Sequence, residues 1–151
     1  MKPVIFGVSG LSLTAEERDF FRDADPLGYI LFKRNCESRD QMRALTESLR
    51  ELSGRADLPI LIDQEGGRVS RMVPPEWPAF PAGERFGRLY DVAPVSAIEA
   101  ARANYHALGM MLAEVGVTVD CAPLLDVVTP EVTQAIGDRA FGGEPMRVSA
   151  L

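Results

Sequence analysis

Four short apolar segments alternate along the chain with longer segments in which apolar residues recur every three or four positions. The short segments are 4–8, 28–32, 59–63 and 117–123. They are strand-sized, and we predict that each forms a strand. Segment 4–8 does not alternate apolar with polar residues, so we predict that this strand is buried on both faces, as in a parallel sheet, and that 28–32 is a second buried strand.

Three capping-box pairs mark the expected helix starts between these strands. They are Thr14 with Glu17, Ser38 with Gln41, and Ser96 with Glu99. We predict helices over about 15–24 and 39–53, a third, long helix running from Ser96 to Val115, and a last helix beginning near Pro145.

Strand and helix alternate from the first segment to the last, which predicts an α/β fold with a parallel sheet and right-handed crossovers. An open nucleotide-binding sheet normally carries Gly-x-Gly-x-x-Gly or a P-loop after its first strand, and 7–11 (Gly-Val-Ser-Gly-Leu) has neither spacing. A (β/α)8 TIM-type barrel is therefore favoured. A complete barrel takes about 250 residues, so we expect residues 1–151 to supply about the first four β/α units.

Residues 66–94 interrupt the alternation. Five of the 11 prolines fall in this segment, together with Trp77, Phe80 and Phe86. Because this segment is rich in proline and aromatic residues, we expect it to pack against the domain near a functional site rather than to serve as a flexible linker.

Composition excludes several classes of function. The net charge of −6 argues against a nucleic-acid or anionic-membrane surface, which needs a clustered positive field. Two cysteines cannot build a disulfide framework, and the sequence contains neither a signal-peptide pattern nor an apolar stretch of the roughly 20 residues that span a bilayer. We expect a cytoplasmic protein without nucleic-acid or membrane partners.

Candidate chemistry lies where strands end, because βα loops carry the functional side chains of a barrel. The candidate strand ends are Ser9, 33–35, 63–71 and 120–126. In the third, Asp63 and Glu65 would share a face of a continuing strand, and Arg68 and Arg71 offer planar donor forks. A strand-end salt-bridge network remains the alternative for any single residue, but the cluster as a whole favours a binding site.

Other candidates are weaker. His106 lies on the predicted third helix, where packing or surface exposure is expected, and Cys36 and Cys121 without further ligands make a poor zinc site. Cys121 is expected to be a small core residue of the fourth strand. A magnesium site is a minority hypothesis, for which the carboxylates would be Asp63, Glu65, Asp120 and Asp126.

The segment 62–69 (Ile-Asp-Gln-Glu-Gly-Gly-Arg-Val), followed by Arg71, resembles the signature of family 3 glycoside hydrolases of the bacterial β-N-acetylglucosaminidase branch. Segments 28–35, 120–127 and 136–142 match the same family in the same order along the chain. Family members often carry His where Gln64 stands.

The resemblance implies a cytoplasmic, retaining, exo-acting enzyme that removes N-acetylglucosamine from 1,6-anhydro-muropeptides in cell-wall recycling. It implies that Asp63, Arg71 and Arg139 bind the amino sugar, and that no metal or organic cofactor is needed. The nucleophile and the proton-transferring His-Asp pair of the family lie in the second half of the barrel. We therefore expect no catalytic residue in 1–151, no activity of the chain alone, and the C-terminal half of the same barrel as its partner.

Two alternatives remain. The first is an enzyme of the same class, another family 3 glycosidase such as a β-glucosidase. The other is a non-catalytic half-barrel that binds sugar or serves as a scaffold. A barrel cut after four strands would also leave open sheet edges and exposed apolar strand faces.

Overall fold

A computed structural model describes residues 1–129 and 135–151 of the chain. Its strands are β1 Lys2–Gly7, β2 Pro26–Leu31, β3 Ile60–Ile62 and β4 Val119–Asp120. Its α-helices are α1 Ala15–Ala24, α2 Arg39–Ser53, α3 Gly83–Val92, α4 Pro94–Glu114 and α5 Pro145–Ala150. Short 3-10 turns occupy Lys33–Asn35 and Gly137–Arg139.

The strands form one parallel sheet in the order β1-β2-β3-β4. Ile62 of β3 lies opposite Asp120 of β4, so these two strands end at the same edge of the sheet. The predicted parallel α/β alternation is confirmed. Within the described residues the sheet is open, with β1 and β4 at its two edges.

Helices α1 and α2 form where the sequence predicts them. Thr14 and Glu17 make both hydrogen bonds of a capping box at the start of α1. At the start of α2, the Ser38 hydroxyl accepts from the Gln41 N–H, whereas the Gln41 side chain accepts from the N–H of Glu37. The apolar stripe predicted on α2 is confirmed, with the buried residues Met42, Leu45 and Leu49 and the partly buried Leu52.

Three sequence predictions about elements are wrong. Helix α4 begins at Pro94 in the N1 position with Ala93 before it, so Ser96 does not cap it. Strand β4 ends at Asp120 and does not extend to residue 123. Strand β1 is not buried on both faces: Ile5 is 41% exposed, because β1 is an edge strand whose one neighbour among the described strands is β2.

The excursion predicted over 66–94 is packed, and it contains the helix α3, which the sequence pattern did not reveal. Trp77 is buried in the main core, and Phe86 is buried in a smaller cluster beside Phe141. The rings of Phe86 and Phe141 meet edge to face at 6.3 Å between centroids. Packing of the excursion is therefore the role that the structure shows for Trp77 and Phe86.

No helix within the described ranges combines the length and the apolar character that a bilayer span requires.

Candidate functional site

The candidate site lies at the shared carboxyl-terminal edge of β3 and β4. Asp63 follows the last residue of β3, and Asp120 is the last residue of β4. Asp120 also accepts a hydrogen bond at Oδ1 from the N–H of Gln64, at 3.0 Å. Parallel strands bring their ends together at one edge, so acidic groups far apart in sequence become neighbours here.

Asp63 and Arg71 form an ion pair. Nη2 of Arg71 donates to Oδ2 of Asp63 at 2.8 Å, and about a quarter of each side chain is exposed. The structure therefore brings together two of the three sugar-binding residues that the sequence resemblance implies. A partly exposed carboxylate beside a guanidinium offers both acceptors and donors to a hydroxyl-rich ligand.

Gln64 holds the loop that carries this pair. Its Oε1 accepts from the N–H groups of Arg71, at 2.8 Å, and Met72, at 3.0 Å, while its Nε2 donates to the Met72 carbonyl at 2.9 Å. The side chain is fully buried. Gln64 therefore fixes the backbone at Arg71 and so directs the Arg71 side chain towards Asp63.

Arg139, the third expected residue, binds Glu65. Its Nε donates to Oε2 at 2.8 Å and its Nη2 to Oε1 at 2.7 Å, so the two planar groups meet in a bidentate fork. The Glu65 side chain is 6% exposed and that of Arg139 is 25% exposed. The sequence indicated Glu65 as a strand-end carboxylate and as a member of the minority magnesium hypothesis, but not as the partner of Arg139.

A second pair links the same two segments of the chain. Nε of Arg68 donates to Oδ1 of Asp138 at 2.8 Å, and Nη2 of Arg68 donates to the carbonyls of Ala135 and Ile136. The loop after β3 thus contacts the segment before α5 through two guanidinium–carboxylate pairs.

Two glycines let this loop approach the excursion closely. Gly66 and Gly67 both have positive φ, at 90° and 57°. A Cβ at Gly66 would collide with the carbonyl oxygen of Pro81, and the N–H of Gly67 donates to the carbonyl of Phe80 at 2.8 Å. The loop that carries the ion pairs is therefore held against residues 80–82 at backbone distance.

The fold changes the protonation of Asp120, the last residue of β4. Burial, with smaller contributions from the neighbouring charges of Asp63 and Glu65, raises the pKa of Asp120 to about 6. Burial, Asp120 and Glu65 also raise the pKa of Tyr105 to about 12. Asp120 carries the same sequence signal as Asp63, a carboxylate at the end of an apolar strand.

The strand-end candidates after β1 and β2 are engaged in structural contacts. Nδ2 of Asn35 donates to the carbonyls of Val8 and Gly10 at 3.1 and 2.7 Å, and Nε of Arg34 donates to the Val8 carbonyl at 2.9 Å. The Ser9 N–H donates to the Glu17 carboxylate. These residues tie the first two βα loops to each other.

The histidine and the two cysteines considered as candidates lie in different environments. His106 is exposed on α4, as expected. Cys121 is also exposed, so its assignment to the core is wrong: β4 ends at Asp120, and residue 121 already belongs to the loop. Cys36 is partly buried, and burial raises the pKa of its thiol to about 12. Among residues 1–129 and 135–151, no three His, Cys, Asp or Glu side chains are grouped to hold a metal ion.

Comparison with known proteins adds to this geometry. Residues 8–151 match the glycosyl hydrolase family 3 N-terminal domain. A β-hexosaminidase of Xanthomonas campestris pv. campestris is 37% identical over 148 residues, and one of Aromatoleum aromaticum is 39% identical over 151 residues. These alignments cover 98% and 99% of this chain, and 44% and 41% of the two relatives.

Solved structures show the same likeness. NagZ from Neisseria gonorrhoeae in complex with N-trifluoroacetyl-D-glucosamine is 31% identical with a TM-score of 0.90, over 98% of this chain and 43% of that one. A glycoside hydrolase family 3 β-N-acetylglucosaminidase from Paenibacillus is 28% identical with a TM-score of 0.83, over 97% of this chain and 27% of that one.

The chain thus spans less than half the length of the relatives it matches. The likeness confirms the barrel-type α/β fold class, of which the described strands form an open part.

Proposed function

Because the chain belongs to glycosyl hydrolase family 3, we propose that it forms the N-terminal part of a retaining exo-β-N-acetylglucosaminidase. The substrates of the whole enzyme are 1,6-anhydro-muropeptides, from which it removes N-acetylglucosamine during peptidoglycan recycling in the cytoplasm. Relatives that align with nearly the whole chain are named β-hexosaminidase, and one similar structure was solved with an N-acylated glucosamine. Both observations support an N-acetylglucosaminidase over the other glycosidases of the family.

The observation that carries the proposal is the pair of carboxylate–guanidinium contacts at one edge of the sheet. Asp63 with Arg71, and Glu65 with Arg139, combine charged acceptors and donors, and the side chains of Asp63, Arg71 and Arg139 are each about a quarter exposed. An uncharged, hydroxyl-rich ring is held by a few such groups, since charge-assisted hydrogen bonds are stronger than neutral ones. In this proposal Asp63, Arg71 and Arg139 bind the amino sugar.

The nucleophile and the acid/base lie outside 1–151 in this proposal. Retaining hydrolysis needs a free carboxylate nucleophile and a second group that gives and takes a proton. Both oxygens of Glu65 accept from Arg139, and Oδ2 of Asp63 accepts from Arg71. Carboxylates engaged in this way suit binding better than attack on the anomeric carbon.

The partner that completes the site is the C-terminal half of the same barrel. The open sheet leaves apolar residues at both edges, with Ile5 of β1 and Val119 of β4 each about 40% exposed. Further strands that pair with β1 and β4 would cover these side chains and satisfy the unpaired strand edges.

Hydrolysis of chromogenic glycosides tests the proposal. The complete protein that carries these residues is expected to cleave a β-N-acetylglucosaminide in preference to the matching β-glucoside, and purified 1–151 is expected to cleave neither. A preference for the glucoside would favour the β-glucosidase alternative. Turnover by 1–151 would contradict the placement of the catalytic groups, and an inactive complete protein would favour the non-catalytic alternative, in which these residues bind sugar or serve as a scaffold.

A further inference from the structure

Glu65 binds two of the three guanidinium nitrogens of Arg139 and leaves the third available to a ligand. Of the three guanidinium nitrogens, Nε and Nη2 donate to the Glu65 carboxylate at 2.8 and 2.7 Å. Nη1 donates only to the Ala135 carbonyl within the described residues, at the longer distance of 3.4 Å. A ligand that accepts from Nη1 would therefore displace only this weak hydrogen bond, whereas a ligand that accepts from Nε or Nη2 would break a strong one.

The Glu65 fork is not needed to join the two segments it connects. Arg68 already links them through Asp138 and through the carbonyls of Ala135 and Ile136. Helix α3 adds a second attachment, because Gly83 and Gly87 pack directly against the backbone carbonyls of Arg139 and Phe141. The backbone at residue 139 is thus held by groups other than Glu65.

What Glu65 fixes is the orientation of the guanidinium plane. A bidentate fork restricts rotation of the arginine side chain more than a single contact does. The carboxylate is nearly excluded from solvent, and its hydrogen bonds are the main reason that the pKa of Arg139 is raised further. A preoriented donor loses less conformational entropy when it binds a ligand.

We propose that Glu65 is a positioning residue for amino-sugar binding: its carboxylate holds the Arg139 guanidinium so that Nη1 faces the sugar. This inference rests on the proposed function and adds to it a residue that acts through Arg139 without contacting the sugar itself. The sugar replaces the long Ala135 contact, while the Glu65 fork stays intact.

Steady-state kinetics of the complete protein on a chromogenic β-N-acetylglucosaminide tests the inference. Glu65→Gln removes the charge and one acceptor, and is expected to raise KM about ten- to hundredfold with a smaller change in kcat. Glu65→Asp keeps the charge but shortens the side chain by one methylene. It is expected to raise KM by a factor between those of wild type and Glu65→Gln. Asp40→Asn, which removes one charge of the exposed Arg43–Asp40 ion pair on helix α2, is the control and its KM is expected to stay within about twofold of wild type.

A double variant separates positioning from a general structural role. If Glu65 acts through Arg139, then Glu65→Gln should add almost nothing to the KM of Arg139→Ala, whereas independent structural damage would multiply the two effects. A wild-type KM in Glu65→Gln, multiplied effects in the double variant, or a Glu65→Asp protein that does not fold would each overturn the inference. A wild-type protein without turnover would overturn the proposed function, and this inference with it.

Discussion

Asp63 and Arg71 form one charged unit at the end of β3: Nη2 of Arg71 donates to Oδ2 of Asp63 at 2.8 Å. The unit depends on the buried Gln64, which binds the backbone N–H of Arg71 and so sets the direction of its side chain. Removal of either charge would leave the other without its described partner, so the two residues are expected to affect ligand binding together.

Asp63→Ala is expected to weaken amino-sugar binding. The substitution deletes the carboxylate acceptor for sugar hydroxyls and leaves the Arg71 guanidinium unpaired. In the complete protein we expect KM for a β-N-acetylglucosaminide to rise about a hundredfold, the upper range for a lost charged hydrogen bond. Arg139→Ala should have a comparable effect, and steady-state kinetics measure both.

Asp57→Asn is the matched control for Asp63→Ala. Asp57 is exposed and makes no ion pair within the described residues, so the kinetics of Asp57→Asn should equal those of wild type. Kinetics of Asp63→Ala that match those of Asp57→Asn would remove Asp63 from the proposed binding site.

The periodic elements could be predicted from sequence, and the helix α3 could not. Helices α1 and α2 begin at side-chain caps, and α2 also has a clear apolar stripe, so local chemistry sets where they begin. Helix α3 begins after Ala82 without a side-chain cap and contains Gly83 and Gly87, which have low helix propensity. Those glycines are present because the helix packs against the backbone of residues 139–141, a tertiary contact that periodicity does not reveal.

The sequence indicated a cluster of charged residues after β3 but not how those residues pair. A cluster at a strand end pointed to Asp63 and Arg71, which are eight positions apart and share one loop. Glu65 and Arg139 are separated by 74 positions, and their contact depends on how the third and fourth units pack. The pattern of apolar residues predicts the regular strands and helices, whereas the pairing of distant charged groups depends on the assembled fold.

Gln64→Ala is expected to destabilise the protein. It would leave the buried N–H and carbonyl of Met72, and the N–H of Arg71, without the partner that now satisfies all three. Unsatisfied buried groups cost about 1–3 kcal/mol each, so we expect a loss of about 3 kcal/mol or more in the free energy of unfolding. Denaturant titration measures the loss.

The control in the same loop is Ser70→Ala, whose hydroxyl makes a single long contact of 3.3 Å to the Gly67 carbonyl. Its free energy of unfolding should lie within about 0.5 kcal/mol of wild type. Equal stability of the Gln64→Ala and Ser70→Ala proteins would show that Gln64 does not hold the loop.

Gly87→Ala and Gly109→Ala are expected to change stability in opposite directions, although both glycines lie inside helices. A Cβ at Gly87 would collide with the Phe141 carbonyl oxygen, whereas a Cβ at Gly109 meets no atom within 4 Å. We expect the first variant to lose about 1–3 kcal/mol through overpacking. The second should gain about 0.5–1 kcal/mol from alanine's higher helix propensity. Thermal unfolding compares the two, and a stabilised Gly87→Ala protein would contradict the close packing of α3.

Asp120 is expected to make stability fall as pH rises through about 6. Its pKa in the folded protein is raised to about 6, chiefly by burial, whereas an unfolded aspartate titrates near about 3.9. The folded state therefore binds this proton more tightly. The contribution of the protonated Asp120 to the free energy of unfolding is complete below about pH 4 and is lost as the pH rises through about 6.

Asp120→Asn stays neutral and can still accept at Oδ1 from the Gln64 N–H. Relative to wild type, the variant should gain about 1–2 kcal/mol between pH 4 and pH 7.5, because solvent screening at this partly exposed carboxyl reduces the full effect. Denaturant titrations across this range measure the difference, with Asp57→Asn as the control, and parallel pH profiles for wild type and Asp120→Asn would show that Asp120 titrates like an ordinary aspartate.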